Sequence, residues 1–341
     1  MIPEISVVIP VFNAERFLPE CVSSLCAQTL QNCEFIFVDD GSSDGSPALL
    51  EEAAGRDPRI RILSNPVNSG VSAARNRGID AARGTYLGFC DADDTMDPPM
   101  LEVLVEACRN QRAQAAFCRV FKDRASESVN VPLGFADGTV FEGEEIKKTL
   151  IPAMLSLEKD GDDQPLSGYS PRNVFLRETV GSIRYREDIH YAEDLLFIVS
   201  VMLRCSRVTA VDRAYYHYRF YEGSTTKKYS PYIPESLERS NAALLSLLEG
   251  EKECSRRMAI RRRKMAVDTV RNYCSAGTPF SFLQRIREIR AYMNRKDVQE
   301  DFRELNLGAL SKRTALRLGL VKYRWAAVCA VLYSTIFKSR M

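Results

Sequence analysis

Ile5-Ser6-Val7-Val8-Ile9, followed at once by Pro10-Val11-Phe12-Asn13, is the stretch on which the fold turns. A continuous run rich in β-branched side chains is what a strand buried on both faces looks like, as in a sheet covered by helices above and below. The period then changes: Glu15–Gln28 carries Phe17, Leu18, Cys21, Val22 and Leu25 at helical spacing. The alternation continues with a strand at Phe35-Ile36-Phe37-Val38, a helix over Pro47–Ala54 and a strand at Ile60-Arg61-Ile62-Leu63. A third helix over Val71–Ala82 and a fourth strand, Tyr86-Leu87-Gly88-Phe89-Cys90, complete it. Strands alternating with helices predict an α/β fold, a Rossmann-like, mostly parallel sheet with right-handed crossovers, flanked by helices.

Beyond this core the pattern predicts a helix at Met100–Gln111, a strand at Ala115–Phe121 and a mobile loop at Asp160-Gly161-Asp162-Asp163-Gln164-Pro165. Order returns at Asn173–Arg177, with a helix over Ala192–Leu203 and a strand around Arg207–Tyr218. From about Pro231 the pattern is helical, with Leu237, Leu244, Leu245 and Leu247 packing. The expected division is a sheet domain over 1–230, with halves 1–110 and 111–230, and a helical C-terminal region over 231–341. The 341 residues are 45% hydrophobic and 27% charged, an ordinary globular composition. A formal charge of +2 gives no reason to expect a nucleic-acid partner. The ten cysteines are irregularly spaced with no CxxC pair, which argues against a zinc site and for reduced, mostly buried thiols.

In such sheets ligands bind beyond the carboxyl ends of the strands, and the loops there are chemically loaded. Asp91-Ala92-Asp93-Asp94 follows the fourth strand: three acids within four residues repel one another unless a cation or hydrogen-bond donors offset them. Mg²⁺ or Mn²⁺ suits such oxygens and takes diphosphate oxygens to complete its shell. The plainer alternative is an acidic turn with Asp97 as helix N-cap. Asp39-Asp40-Gly41-Ser42-Ser43-Asp44-Gly45 follows the second strand; Gly41 suits a left-handed turn and Asp44 or Ser46 a cap, while the paired acids also suit a nucleobase N–H or a ribose hydroxyl. Glu193 and Asp194 open an apolar helix, where the dipole favours acids and keeps a carboxylate ionised for use as a general base. Arg219, in Tyr215-Tyr216-His217-Tyr218-Arg219-Phe220, matches phosphate geometry.

Taken in order, Ser6–Asn13, Val38–Gly45, Asn68-Ser69-Gly70-Val71-Ser72-Ala73-Ala74-Arg75-Asn76 and Asp91–Asp94 form a pattern that resembles the family 2 glycosyltransferases of bacterial polysaccharide synthesis. The resemblance covers roughly residues 4–220 and implies a GT-A fold. It implies that Pro10, Val11, Asn13 and Asp40 embrace the base of a nucleotide-sugar, usually a UDP-sugar. Asp91 and Asp93 would touch the donor, and Asp93 with Asp94 would hold a divalent metal, Mn or Mg. Glu193 would join the substrate site, Asp194 would be the catalytic base, and Arg219 with Ser224 would close over the diphosphate. The implied reaction is a metal-dependent, inverting transfer of a hexosyl group to a hydroxyl of a glycan or lipid-linked acceptor. Gly168-Tyr169-Ser170-Pro171-Arg172 departs from a Trp-containing stretch common in relatives.

Rival readings fit less well. A nicotinamide dehydrogenase needs a GxGxxG after the first strand, where Pro10-Val11-Phe12-Asn13 stands. A nucleotidyltransferase, or a nucleotide-sugar-binding protein without turnover, remains as the alternative. No secretory signal or membrane span is legible, so the expected location is the cytoplasm, peripheral at the inner face of the plasma membrane. The motive for the membrane is Trp325–Phe337, uncharged and flanked by Lys322, Arg324, Lys338 and Arg340, too short to span but suited to an interface.

Overall fold

Ile5, Val7 and Ile9 face one side of the central sheet and Val8 the other, and all four are fully buried. That double burial is the physical reason the opening run is apolar throughout. The computed structural model describes residues 2–124, 127–156, 166, 168–221 and 228–335. The 160–165 stretch and Ser224 lie outside them. The first strands are β1 (Ile5–Val11), β2 (Cys33–Asp39), β3 (Ile60–Ser64) and β4 (Tyr86–Phe89), alternating with α1 (Leu18–Cys26), α2 (Ser46–Arg56) and α3 (Val71–Ala81). There follow β5 (Thr95–Met96), α4 (Met100–Gln111), β6 (Ala115–Arg124), β7 (Glu127–Val131) and β8 (Val140–Glu142). Next come α5 (Ile151–Leu155), β9 (Asn173–Leu176), α6 (Arg177–Val180), α7 (Glu193–Met202) and β10 (Arg207–Arg219).

The strands form one sheet in the order β3-β2-β1-β4-β9-β6-β10-β5, with β7 on β6 and β8 on β10. β1 pairs in parallel with β2 and β4, and β2 with β3. β9 then enters antiparallel between β4 and β6, while β10 runs parallel to β6 and antiparallel to β5 and β8. The parallel character foreseen from the alternation therefore holds for the first four strands and gives way to a mixed sheet beyond them. On one face Leu18, Cys21 and Leu25 of α1, Leu50 of α2 and Leu101, Leu104 and Val105 of α4 complete the core. On the other, α3 lies so close to β1 that a Cβ on Gly78 would sit 2.2 Å from Val8 Cγ1. Each fully buried large apolar side chain contributes roughly 1.5–3 kcal/mol.

The chain divides into two compact units, Met1–Ile151 with Gly168–Tyr221, and Pro152–Ser167 with Glu222–Met341. The second is built on α8 (Ile233–Leu247), α9 (Lys252–Tyr273), α10 (Phe282–Met293), α11 (Lys296–Phe302), α12 (Lys312–Lys322) and α13 (Ala326–Thr335). Val267 and Val270 of α9 pack there with Ile289 and Met293 of α10, Phe302 of α11, Leu318 and Val321 of α12 and Cys329 of α13. None of the ten cysteines is in a disulfide, and all but Cys26 are buried.

Candidate active site

The carboxyl ends of β1 and β2 are clasped together. Asp40 N–H donates to Val11 O (2.8 Å), Asn13 N–H to Ser42 Oγ (3.0 Å), and Ser43 N–H to Asn13 Oδ1 (2.8 Å). Asn13 takes φ 48°, which an Asn tolerates better than most side chains. Gly41 has φ 74°, and a Cβ there would lie 2.9 Å from the Val67 carbonyl carbon, so both the turn and the close approach require glycine. Pro10 is half-buried and Val11 fully so at the end of β1. Asp40 is buried, and its carboxylate accepts from Asn65 Nδ2 (2.6 Å), Ser69 N–H (3.0 Å) and Gly70 N–H (2.8 Å). The residue foreseen at the nucleobase thus clasps the loop between β3 and α3.

The centre of the site is a residue to which the sequence motif gave no role. Arg75 of α3 is only 3% exposed and holds three acids at once. Its Nη2 donates to Asp91 Oδ1 (2.8 Å), and its Nη1 to Asp194 Oδ1 (2.8 Å) and Glu193 Oε1 (3.1 Å). Burial alone would depress this guanidinium, but the charges of Asp194, Asp91 and Glu193 hold it well above its usual value. Asp194 also accepts from Ser170 N–H (3.2 Å), and the hydroxyl of Tyr185 donates to Ser170 Oγ (2.6 Å). The Tyr185 ring in turn stacks on Phe197 (4.1 Å) and lies under Arg75 (5.2 Å). Burial, with Glu193 and Asp91 adding to it against Arg75, lifts the Asp194 carboxyl to about 7. A carboxyl tuned there is poised to take a proton near neutrality.

Asp94, foreseen beside Asp93 as a metal ligand, is 1% exposed, and each of its oxygens accepts a hydrogen bond: Tyr216 OH donates to Oδ2 (2.6 Å) and Arg219 N–H to Oδ1 (2.8 Å). Burial and then the charges of Asp91 and Asp93 push its pKa well above the usual range. It fastens the acid loop to β10, and Asp91 N–H completes the link by donating to Tyr216 Oη (3.2 Å). Asp91 and Asp93 remain half-buried. Burial and then the Asp91 charge raise the Asp93 pKa, against a smaller opposing influence of Tyr221. Two crowded hard-oxygen acids fit a divalent cation that shares a diphosphate and keeps waters, as Mg²⁺ commonly does. They do not make an all-protein cage, and no cluster of three or more ligating side chains suited to a metal occurs among the described residues.

Arg219, at the end of β10, pairs with Glu20 and lies over the Phe17 ring (5.2 Å), which Tyr221 also approaches at 4.6 Å. Asp97 is not the N-cap of α4. Its backbone oxygen accepts from Met100 N–H (3.1 Å), while its carboxylate faces His217 Nε2 (3.3 Å), whose Nδ1 meets Asp123 (2.8 Å). Tyr169 and Tyr218 stack at 5.2 Å, and the Asp94 charge acts on both. Arg75, Ser170, Tyr185 and Tyr216 are the site residues that sequence reasoning missed. Arg75 stood inside the quoted motif, but its partners lie 16 to 119 residues away.

The family described as Glycosyl transferase family 2 matches residues 6–170. The uncharacterized glycosyltransferase EpsJ of Bacillus subtilis is 31% identical over 300 residues, 86% of this chain and 85% of that one. The succinoglycan biosynthesis protein ExoO of Rhizobium meliloti is 29% identical over 234 residues, 66% of this chain and 63% of that one. The crystal structure of S. aureus TarS 1-349 in complex with UDP-GlcNAc aligns with a TM-score of 0.63 at 18% identity, covering 99% of this chain and 92% of the other, a likeness of fold. With the four motifs gathered on one sheet rim and a relative this similar along most of its length, the chain belongs to the family 2 glycosyltransferases, with the GT-A-like α/β fold and relatives in polysaccharide biosynthesis.

Proposed function

We propose that the chain is an inverting glycosyltransferase that moves a sugar from a nucleotide-sugar, a UDP-sugar in the first instance, to a hydroxyl of a glycan or lipid-linked acceptor in cell-surface polysaccharide synthesis. The observation that carries the reading is the Arg75 bridge: one buried guanidinium joins Asp91 of the acid loop to Asp194, a carboxyl raised to about 7. Donor-side and base-side groups therefore share one fixed frame. That TarS is described with UDP-GlcNAc makes a uridine donor the one to test first.

Pro10, Val11 and Asn13 line the place of the nucleobase, with Asp40 setting the shape of that wall through the loop it clasps. Asp91 meets the ribose, and Asp91 and Asp93 would hold Mn²⁺ or Mg²⁺. When bound, the metal supplies positive charge to the diphosphate. Arg219, exchanging Glu20 for phosphate, adds to it, and Ser224 lies in the adjoining stretch. Asp194 accepts the proton of the acceptor hydroxyl while that oxygen bonds to the anomeric carbon. The bond from that carbon to the diphosphate oxygen breaks, its electron pair leaving with the nucleoside diphosphate. One in-line displacement inverts the anomeric centre. Glu193 helps hold Arg75, and Ser170 N–H fixes the second oxygen of Asp194.

The test is release of UDP from a panel of UDP-sugars with Mn²⁺ and oligosaccharide acceptors, the anomeric proton of the product read by NMR. A product with configuration opposite to the donor supports the reading. Retained configuration, or no release with any nucleotide-sugar while the donor binds, overturns it.

A further inference from the structure

Residues 305–341 contain seven basic residues and no acidic one, whereas the rest of the chain carries 40 bases against 45 acids. Within that segment α13 has no charged residue at all. Ala326, Cys329, Ala330 and Tyr333 on its inner side are buried in the helical core, while Val328 and Val331 are exposed. Just ahead of it, Tyr323 and Trp325 are 58% and 55% exposed, their rings 6.2 Å apart. At the other end Arg285 donates to Ser334 Oγ (3.2 Å), which brings the first turn of α10 alongside, with Phe282 and Leu283 exposed. The outward face of a solvated helix normally carries charge, and this one is apolar along its length.

An open basin of about 400 Å³ adjoins it, lined by Asn294, Lys296, Gln299, Glu300, Arg303 and Arg324. Lys296 faces Glu300 at 3.9 Å, but the guanidiniums of Arg303 and Arg324 have no ion-pair partner among the described residues. Arg324 sits between Tyr323 and Trp325 in the chain, so basin and aromatic edge share a residue. We propose that this face of the helical unit docks on an anionic phospholipid surface. The basin takes a phosphate headgroup, and Tyr323, Trp325, Val328 and Val331 rest at the acyl boundary. The charge decides between occupants. A second copy docked symmetrically would set the same bases against each other, and the core of a protein interface is depleted of such charge. No helix among the described residues is long and apolar enough to cross a membrane, so the contact is interfacial.

Docking of this face requires nothing of the transfer site, so its failure leaves the transferase reading untouched. Trp325 is the chain's sole tryptophan, so intrinsic emission of the full chain reports this face alone. With vesicles of phosphatidylglycerol and phosphatidylcholine in equal parts, emission moves to shorter wavelength and the protein floats with the vesicles. High salt reverses both. Arg303→Gln with Arg324→Gln weakens the partition about 25-fold, roughly five-fold for each base. Val328→Ser with Val331→Ser also lowers the partition. Equal binding to phosphatidylcholine alone, no binding at low salt, or an emission shift that appears with protein concentration in the absence of lipid would each overturn it.

Discussion

At the scale of single residues, the site rests on one cation shared by three acids, and two expectations follow. Asp194→Asn removes the proton acceptor but keeps the size of the side chain, so kcat should fall by roughly two to four decades while donor affinity stays. Because Asp194 must be ionised to act and burial lifts it to about 7, the wild-type rate should climb with pH up to about 7 and level above it. A pH-rate profile without that limb would remove Asp194 from the role of base. Arg75→Gln leaves Asp91, Glu193 and Asp194 crowded without their counter-charge. Breaking a buried pair in this way costs about 3–5 kcal/mol, read as a lower denaturation midpoint. The pH limb of whatever activity remains should also move upward, since Arg75 is what holds the Asp194 pKa down against burial. An unchanged limb would make Arg75 a packing residue only. The acids were legible because clusters of like charge at strand ends demand a reason. Arg75 was not, because a lone arginine on a helix gains meaning only when the fold brings acids from two distant segments to it. Asp40 and Asp94 stood out for the same reason, while the backbone and tyrosine donors that each accepts from come from distant segments that no local pattern names.

At the scale of elements, β1 to β4 and α1 to α4 were legible because each buries a patterned face, and pattern is what a sequence displays. β9 was harder: four residues show no direction, and only its pairing between β4 and β6 reveals it as antiparallel. The close contact of α3 with β1 was equally hidden, since Gly78 reads in sequence as a mere lapse in helix propensity. Its reason is space, as a Cβ would meet both Val8 methyls, at 2.2 and 2.9 Å. Gly78→Ala should therefore destabilise by about 1–3 kcal/mol through overpacking, although alanine is the better helix former. The measurement is a thermal or urea midpoint, and a neutral or stabilising result would mean that α3 moves outward at no cost. Since α3 carries Arg75, the same substitution should also lower kcat more than it raises the donor KM.

At the scale of the whole molecule, the helical C-terminal region was legible from its periodicity, but the membership of Pro152–Ser167 in it was not. That segment interrupts the sheet unit in sequence yet clusters with the helical one, which no local pattern announces. All the acids of the site, with Arg75 and Arg219, belong to the sheet unit, so donor and metal should stabilise the fold through that unit. A ligand that binds only the folded state adds about 2.7 kcal/mol at a hundred times its dissociation constant. For a unit of this size that corresponds to a rise in melting temperature of about 5–10 °C. The crowding of Asp91 and Asp93 makes the two ligands cooperative, because the cation relieves acid repulsion and the diphosphate completes its coordination. UDP-GlcNAc with Mn²⁺ should therefore raise the melting temperature more than the two separate shifts combined, and chelator should return it to the value with donor alone. Asp93→Ala should abolish the joint effect, whereas Asp194→Asn, which spares the donor side, should keep it. A full joint shift in Asp93→Ala would place the metal elsewhere, and equal shifts with and without chelator would mean that the donor is held by the chain's own cations.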